Sequence, residues 1–261
     1  MRLLREGAAA LGIQLTDAQI ERFQRHYDEL VEWNSRVNLT SVTELDAVQT
    51  RHFLDSLSVA QAVPEPTLES GRLVDIGSGA GFPGLPLKIA FPGLRVTLND
   101  STAKKTAFLS HLVGVLELDG VEVLTGRAET LAHEPELRGT FDLVVARAVA
   151  NLAVLAELTL PFCRVGGLVV AQKSSGIDDE IERARRAIET VGGELSDAVP
   201  IRIPGEDREK VLHRFYRVEQ SRTTPGSGLG LALVKAVAEL HDASLELADN
   251  SPGLRATLRF A

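Results

Sequence analysis

The stretch VDIGSGAGFPGLPL, residues 74–87, decides the fold class of this chain. It places four glycines and two prolines directly behind a short apolar run, which is typical of a tight turn between a strand and a helix. Glycine allows the backbone to approach a ligand closely and to adopt conformations that other residues avoid. A loop of this kind could hold a dinucleotide, a nucleoside triphosphate or a nucleoside that carries no phosphate.

The segments around the loop alternate between short β-branched runs and intervals long enough for a helix. The five runs, from residue 72 onward, are RLVDIG, LRVTLND, VEVLTG, FDLVVARA and GGLVVAQK. A sixth strand is expected in GELSDAVPIRIP, residues 193–204, after an amphipathic helix over residues 177–193. The alternation predicts an α/β fold with an open, mainly parallel sheet flanked by helices.

The first 60 residues predict a helical cap in front of this sheet. Thr16 to Gln19 matches a capping box, and apolar residues then recur at helical spacing. A second helix is expected from Leu45 to Val63, with the polar stretch WNSRVNLTSV, residues 33–42, between the two helices. The composition of VPEPTLESG, residues 63–71, predicts a linker.

The overall composition is that of an ordinary globular protein, with 44% hydrophobic and 25% charged residues. The single cysteine, Cys163, excludes an internal disulfide and a multi-cysteine metal site. No apolar run approaches the roughly 20 residues of a membrane span, and the charged start MRLLREGAAALGIQL does not resemble a signal peptide. We expect a cytoplasmic monomer without a metal ion. The net charge of −8 weighs mildly against nucleic acid as a partner, although a basic face can exist on an acidic protein.

Three features near the glycine loop distinguish between the candidate ligands. Asp75 precedes Gly77, Gly79 and Gly81 in a D-x-G-x-G-x-G pattern typical of S-adenosylmethionine methyltransferases, whereas dinucleotide-binding folds usually have an apolar residue at that position. No GK[ST] motif follows, which argues against a P-loop. Asp100 ends the next strand, where a carboxylate can accept hydrogen bonds from both ribose hydroxyls. We predict S-adenosylmethionine as the cofactor; the alternative is a tight turn beside a solvated aspartate.

The rest of the chain, from about residue 5 to residue 203, resembles the bacterial GidB/RsmG family of 16S ribosomal RNA guanine-N7 methyltransferases. The motifs that carry the resemblance are WNSRVNLTSV (33–42), RHFLDSL (51–57), DIGSGAGFPGLPL (75–87), LNDS (98–101), GRAE (126–129), ARAVANL (146–152) and QKS (172–174). The resemblance implies a Rossmann-like class I methyltransferase acting on 16S ribosomal RNA of the small ribosomal subunit. We divide the chain into a cap, residues 1–66, a catalytic core, residues 67–204, and a tail, residues 205–261.

The resemblance also implies which residues contact the methyl donor. These are Gly77, Phe82, Asp100, Ala128, Glu129 and Arg147. From the sequence itself, Arg147 and Lys173 each end an apolar strand, which directs them to the ligand crevice; the alternative is a surface charge. For Glu129 the alternative is a carboxylate that stabilises a helix start.

The expected chemistry needs no general base, because guanine N7 carries a lone pair and no proton. We expect an in-line displacement at the sulfonium methyl, accelerated by alignment and by exclusion of water. Arg147 would orient groups near the donor, and Lys173 would lie near an RNA phosphate or guanine O6. A single-stranded or splayed RNA loop is the expected substrate.

Polar residues of the cap have two possible roles. Asn34, Asn38 and the run from His52 to Ser56 either satisfy backbone groups between two helices or, by the resemblance, shape the mouth of the site. His52 by itself is better explained as a structural histidine than as a catalyst. The basic residues that could contact RNA phosphate, or could simply be solvated charges, are Arg36, Arg51, Lys104, Lys105 and Lys173.

The tail departs from the methyltransferase family, because the valine-rich strand expected to close the sheet is absent after residue 204. It resembles the end of a sensor histidine kinase ATP-binding domain. The segment EDREKVLHRFYRV resembles the phenylalanine motif of that domain, and TPGSGLGLALVKAVAELH resembles its second glycine box. The last two expected strands resemble its final hairpin. The asparagine helix and adenine loop that ATP also requires do not occur upstream of Glu206. We therefore expect a fragment that binds no ATP, despite Gly226, Gly228 and Gly230.

Two other functions remain open from the sequence. The same chemistry could serve another RNA or a small molecule, although the motifs at residues 33–42 and 51–57 count against this. A non-enzymatic signalling adaptor could use the tail, which the missing kinase motifs disfavour.

Overall fold

The structure is a computed structural model of the chain, and it describes residues 1–173, 177–196, 198–201 and 203, with the backbone of 244–249 and 254–259. The chain divides into two compact units, Met1–Ile203 and Pro204–Ala261. In the part of the chain that is described, no helix combines the length and apolarity needed to cross a membrane.

The N-terminal region of the first unit is helical, as predicted. Its α-helices are α1 (Arg2–Ala10), α2 (Asp17–Asn34), α3 (Leu45–Val48), α4 (Asp55–Leu57) and α5 (Glu65–Ser70). The capping box at the start of α2 is confirmed, because Thr16 Oγ1 accepts from Gln19 N at 3.3 Å and Thr16 N donates to Gln19 Oε1 at 2.8 Å.

The second predicted helix is present but changes type along its length. A π-helical segment, Gln49–Leu54, joins α3 to α4, and a 3₁₀ segment, Ser58–Ala62, follows. Single π-helical turns inside α-helices are frequent at functional sites. The prediction of a linker over residues 63–71 was wrong, because Pro66 lies in the first turn of α5, where proline favours a helix.

The five predicted strands form one parallel sheet. They are β1 (Arg72–Ile76), β2 (Arg95–Asp100), β3 (Val121–Thr125), β4 (Phe141–Arg147) and β5 (Cys163–Gln172). Their order is β3-β2-β1-β4-β5, with every neighbouring pair parallel. The order reverses between β1 and β4, and in such sheets ligands bind beyond the carboxyl ends of the strands at this switch point.

Helices cover both faces of the sheet. They are α6 (Gly84–Ala90), α7 (Ala103–Val115), α8 (Ala128–Leu131), α9 (Leu152–Thr159) and α10 (Asp178–Thr190). Leu73 and Val145 point into the larger core, shared with the N-terminal helices, α6 and α7. Val74 and Val144 point into a second core with Leu155 of α9, as the alternation of side chains along a strand requires.

The end of the first unit confirms one prediction and corrects another. The amphipathic helix is present as α10, which buries Ala184 and Ile188. The prediction of a sixth strand over residues 193–204 was wrong for the described residues of that range, which form no strand. Pro200 cannot donate to a sheet ladder. Among the described strands, β5 is therefore an edge of this sheet.

The second unit contains the predicted terminal hairpin. Strands β6 (Ser244–Asp249) and β7 (Leu254–Arg259) pair antiparallel, with Asp249 opposite Leu254. The glycine box, residues 226–230, and the segments EDREKVLHRFYRV and LALVKAVAELH lie outside the described residues.

Candidate active site

The glycine loop joins β1 to α6 as one tight turn. Gly77, Gly79 and Gly81 have φ angles of 73°, 57° and 91°. These lie in the left-handed region, which residues other than glycine rarely adopt. A Cβ atom on Gly77 would lie 2.7 Å from Val149 Cγ2. Gly77 therefore exposes bare backbone toward the segment that follows β4.

Asp75 lies beneath this loop rather than on the surface of the crevice. Its side chain is fully buried, and Oδ2 accepts from Gly84 N at 2.9 Å. Its backbone oxygen accepts from Ser78 Oγ at 3.0 Å. Oδ1 has no hydrogen-bond partner among the described atoms. Burial raises the pKa of this carboxyl from 3.8 to about 7. Asp75 therefore ties the two ends of the loop together, and a contact with the donor stays a prediction.

A cavity of about 310 Å³ opens beyond the carboxyl ends of β1, β2 and β3. The residues that line it are Ile76, Gly77, Asn99, Ser101, Gly126, Arg127, Ala128, Glu129, Val149, Ala150, Val154 and Leu158. One wall is apolar and comes from α9 and the loop that precedes it. Of the residues predicted to bind the donor, Gly77, Ala128 and Glu129 are brought together here.

Asp100 ends β2 next to the cavity, but its carboxylate is already bonded to the backbone. Oδ2 accepts from Gly79 N at 3.1 Å, and Oδ1 accepts from Thr102 N at 2.8 Å. The side chain is buried, and Lys105 Nζ lies 3.7 Å from Oδ2. The neighbouring Ser101 lines the cavity instead. Asp100 thus fixes the glycine loop from the side of β2, and a bond to ribose hydroxyls stays a prediction.

Glu129 occupies a position that suits both of the roles that the sequence left open. It lies in the first turn of α8 and also lines the cavity. Its own backbone N–H, and then Arg127, lower the pKa of its carboxyl. The Arg127 guanidinium lies 3.0 Å from its Oε1. The cavity therefore has a paired acid and base on one wall.

Phe82 belongs to the glycine loop and packs among aromatic rings of the cap. It is 4% exposed. His26 stacks on it at 5.0 Å between ring centroids, and His52 stacks on it at 4.6 Å. The Arg147 guanidinium lies 5.0 Å from the ring centroid, a cation–π arrangement. The structure brings together Phe82, His52 and Arg147, none of which is among the residues that line the cavity.

Arg147 connects the end of β4 to the cap. Its Nη1 donates to Asp55 Oδ2 at 2.7 Å and to Arg51 O at 3.0 Å. Its Nη2 lies 3.4 Å from His52 Nδ1. Burial, and then the positive charge of Arg147, lower the pKa of His52 to about 4. His52 is therefore neutral near neutral pH, and its Nε2 lies 2.9 Å from Thr40 Oγ1.

The polar loop between α2 and α3 is held by its own backbone contacts. Asn34 Oδ1 accepts from Leu39 N at 2.7 Å and from Thr40 N at 2.9 Å, and its Nδ2 donates to Thr40 O at 2.9 Å. This is the backbone-satisfying role that the sequence left open for Asn34. Asn38 in the same loop is exposed.

The basic residues expected to contact RNA differ in exposure and in their partners within the protein. Three of them are exposed: Arg36, Arg51 and Lys104. Arg36 pairs with Glu32 at 2.6 Å, and Lys105 lies near Asp100. Their contacts with RNA stay predictions.

Lys173 follows β5 and is engaged within the protein. Its Nζ donates to Ala150 O at 2.8 Å and to Glu180 Oε1 at 2.6 Å. The side chain is 18% exposed. Lys173 therefore points toward the loop after β4, and its ammonium group already has two acceptors; its contact with RNA stays a prediction.

Comparison with known proteins assigns the chain. The family model described as GidB, rRNA small subunit methyltransferase G, matches residues 19–206. This chain belongs to the GidB family. A relative named ribosomal RNA small subunit methyltransferase G from Roseiflexus sp. (strain RS-1) is 53% identical over 205 residues, 78% of this chain and 86% of the relative. A relative of the same name from Dehalococcoides mccartyi (strain CBDB1) is 47% identical over 207 residues, 79% of this chain and 87% of the relative.

Two further comparisons concern the fold and the tail. A solved S-adenosylmethionine-dependent methyltransferase from Aquifex aeolicus aligns with a TM-score of 0.44 at 18% identity, over 60% of this chain and 88% of that one. A second family model, described as histidine kinase-, DNA gyrase B- and HSP90-like ATPase, matches residues 171–261. Membership of the GidB family and the order of the parallel sheet confirm the predicted methyltransferase fold. Both predicted resemblances are confirmed.

Two residues that contact the predicted site, His26 and Glu180, were missed by sequence reasoning, although both lie within the GidB range. His26 donates from Nε2 to Ala80 O at 3.2 Å, and burial lowers its pKa to about 3. Asp55 was noted only as part of a motif, without its pairing to Arg147. Glu180 resembled an ordinary acid in the first turn of a helix. In the described part of the chain, no three His, Cys, Asp or Glu side chains are grouped to hold a metal ion.

Proposed function

We propose that this chain transfers a methyl group from S-adenosylmethionine to N7 of a guanine in 16S ribosomal RNA. The observation that carries the proposal is the cavity beyond β1, β2 and β3 in a member of the GidB family. Its curated relatives are named for methylation of small-subunit ribosomal RNA. An open sheet of this order binds its ligand at that edge.

The cavity suits a nucleoside better than a polyphosphate. Among the described residues that line it, Arg127 carries the only positive charge, and that charge is paired with Glu129. The apolar wall, including Val149 and Val154, can cover a flat base, while the bare backbone of Gly77 allows close approach. The residues that would hold the donor are Gly77, Ala128, Glu129 and the side chains of that wall.

The chain needs to supply no base for this reaction. When bound, the donor would supply an electrophilic methyl group, and guanine N7 has a lone pair and no proton to remove. His52 is neutral and lies against Phe82, so its role is packing. Arg147, held by Asp55, is suited to orient charged groups at the end of β4. Alignment and exclusion of water by the cap and the loop after β4 then account for the rate.

The remaining features of the proposal concern the whole chain. We propose a cytoplasmic monomer with the cap in residues 1–66, the methyltransferase core in residues 67–204 and a tail, residues 205–261, that binds no ATP. The GidB match ends at residue 206, which supports the boundary between core and tail, although the ATPase model already matches from residue 171. The supporting fact for the tail is that the ATP-binding motifs expected before its glycine box do not occur in the sequence.

Two measurements test the proposal. Calorimetric titration of the full chain should detect binding of S-adenosylhomocysteine and no binding of ATP; the reverse result would exclude the assigned cavity ligand. Mapping of N7-methylguanine in 16S ribosomal RNA should show one site lost in cells that lack the gene and restored by this chain. An unchanged map, with a methyl group lost from another RNA, would identify a different acceptor.

A further inference from the structure

Glu180 links three parts of the first unit through one carboxylate oxygen. Its Oε1 accepts from Lys173 Nζ and from Leu152 N, each at 2.6 Å. Lys173 Nζ also donates to Ala150 O at 2.8 Å. The carboxylate of α10 thereby connects the end of β5 to the first residue of α9 and to the loop before it.

The loop held in this way, residues 148–151, forms part of the cavity wall. Val149 and Ala150 line the cavity, and Val149 lies against the bare backbone of Gly77. Ala148 has a φ of 55°, a conformation that alanine does not favour and that surrounding contacts must maintain. The shape of this wall therefore depends on contacts from outside the loop.

The loop is anchored on both sides by charged groups. On the side of β4, Arg147 is held by Asp55. On the side of α9, Lys173 and Glu180 bond to the Ala150 carbonyl and to the first helical N–H. The carboxylate also lies at the N-terminus of α9, where a negative charge is favourable. Lys173 lowers the pKa of Glu180, which keeps this carboxylate ionised.

We propose that Glu180 is a positioning residue for the methyl transfer, holding loop 148–151 in place through Lys173 and the N–H of Leu152. This inference rests on the proposed function. It assigns Lys173 to the same task, in place of a contact with RNA phosphate. Neither side chain needs to touch the substrate; each fixes the wall against which the reacting groups are aligned.

Hydrogen exchange on the full chain tests the anchoring without any substrate. Glu180→Ala removes both hydrogen bonds, whereas Glu180→Gln keeps an acceptor for Leu152 N–H and removes the charge. We expect exchange in peptides covering residues 148–154 to accelerate about tenfold in the first variant and less in the second, since local opening governs exchange. The matched control is Glu182→Gln on the same helix, whose carboxylate forms an exposed pair with Arg185 at 3.6 Å. Unchanged exchange in both Glu180 variants would overturn the proposal.

Steady-state kinetics separates positioning from RNA contact. Glu180→Gln and Lys173→Met should each lower kcat by about tenfold or more, leave KM for unmethylated 16S ribosomal RNA unchanged, and have non-additive effects when combined. If Lys173 contacted an RNA phosphate, Lys173→Met would instead raise that KM and reduce its salt dependence by about one unit of slope. That outcome, with Glu180→Gln at wild-type kcat, would refute the assignment. An inactive wild-type chain with the expected exchange pattern would contradict only the proposed function.

Discussion

Asp75 offers a sharp test of the site, because its substitution by asparagine should change how stability depends on pH. The carboxyl is fully buried, and burial raises its pKa from 3.8 to about 7. Asparagine has nearly the same shape and can still accept the hydrogen bond that Gly84 N donates to Oδ2. Asp75→Asn therefore removes a titrating group from the base of the glycine loop with little change in packing.

The sign and size follow from proton linkage. The folded chain binds the Asp75 proton more tightly than the unfolded chain does. The free energy of unfolding of the wild type is therefore highest at low pH, where the carboxyl is protonated in both states. It falls as pH rises from about 3.8 towards 7 and is level above that. Between pH 4.5 and pH 8.5 the variant should gain about 3 kcal/mol relative to wild type, at about 1.36 kcal/mol per unit of pKa shift.

Urea denaturation at a series of pH values measures this difference. The single tryptophan, Trp33, reports on the first unit, because its ring packs 5.5 Å from that of Phe108. Any constant packing difference between the two side chains cancels when the free energies of unfolding are compared across pH. The variant's free energy of unfolding minus that of the wild type should rise between pH 4.5 and 8.5. If this difference stays constant or falls with rising pH, the raised pKa of Asp75 is refuted.

Three further substitutions probe the same site. Gly77→Ala should weaken S-adenosylhomocysteine binding more than tenfold by calorimetry, because the added Cβ would lie 2.7 Å from Val149 at a φ of 73°. Unaltered affinity in a variant whose circular dichroism shows an intact fold would contradict a close approach of the loop to the ligand. Arg147→Ala should lower turnover at least about tenfold, and normal donor affinity together with normal turnover would remove Arg147 from the site. Asp55→Ala should cost about 1–2 kcal/mol in unfolding free energy, since it breaks a largely buried pair with Arg147 at 2.7 Å. The control is Asp17→Ala, which breaks an exposed pair with Arg5 at 2.6 Å; a loss in Asp55→Ala no greater than in this control would show that the Asp55–Arg147 pair contributes nothing.

Much of the fold could be predicted from the sequence because β1 to β5 are strands of a parallel sheet. Such strands are covered by helices on both faces and form short apolar runs separated by helix-sized intervals. The errors occurred where proline dominates the local composition. Pro66 indicated a linker but lies in the first turn of α5. The strand predicted over residues 193–204 contains Pro200, which cannot complete a sheet ladder.

The site was predictable only to the extent that strand ends define it. Because parallel strands end at one edge, the sequence correctly brought Gly77, Ala128 and Glu129 to one cavity, whereas Arg147 at the end of β4 contacts the cap. It could not reveal that Arg147 pairs with Asp55, a residue 92 positions away. The role of Glu180 could not be predicted for another reason. An acid in the first turn of a helix is already explained by the helix dipole, so nothing in the sequence indicates its bond to Lys173.

The aromatic cluster around Phe82 shows how the cap contacts the glycine loop. Burial lowers the pKa of His26 to about 3 and that of His52 to about 4, so both rings are neutral near neutral pH. The positive charge over Phe82 then comes from Arg147 and is balanced by Asp55. The cap thus gives the glycine loop two neutral stacking partners and a counter-charge. A change in the cap that removes one of these stacking partners therefore removes a contact of Phe82 in the glycine loop.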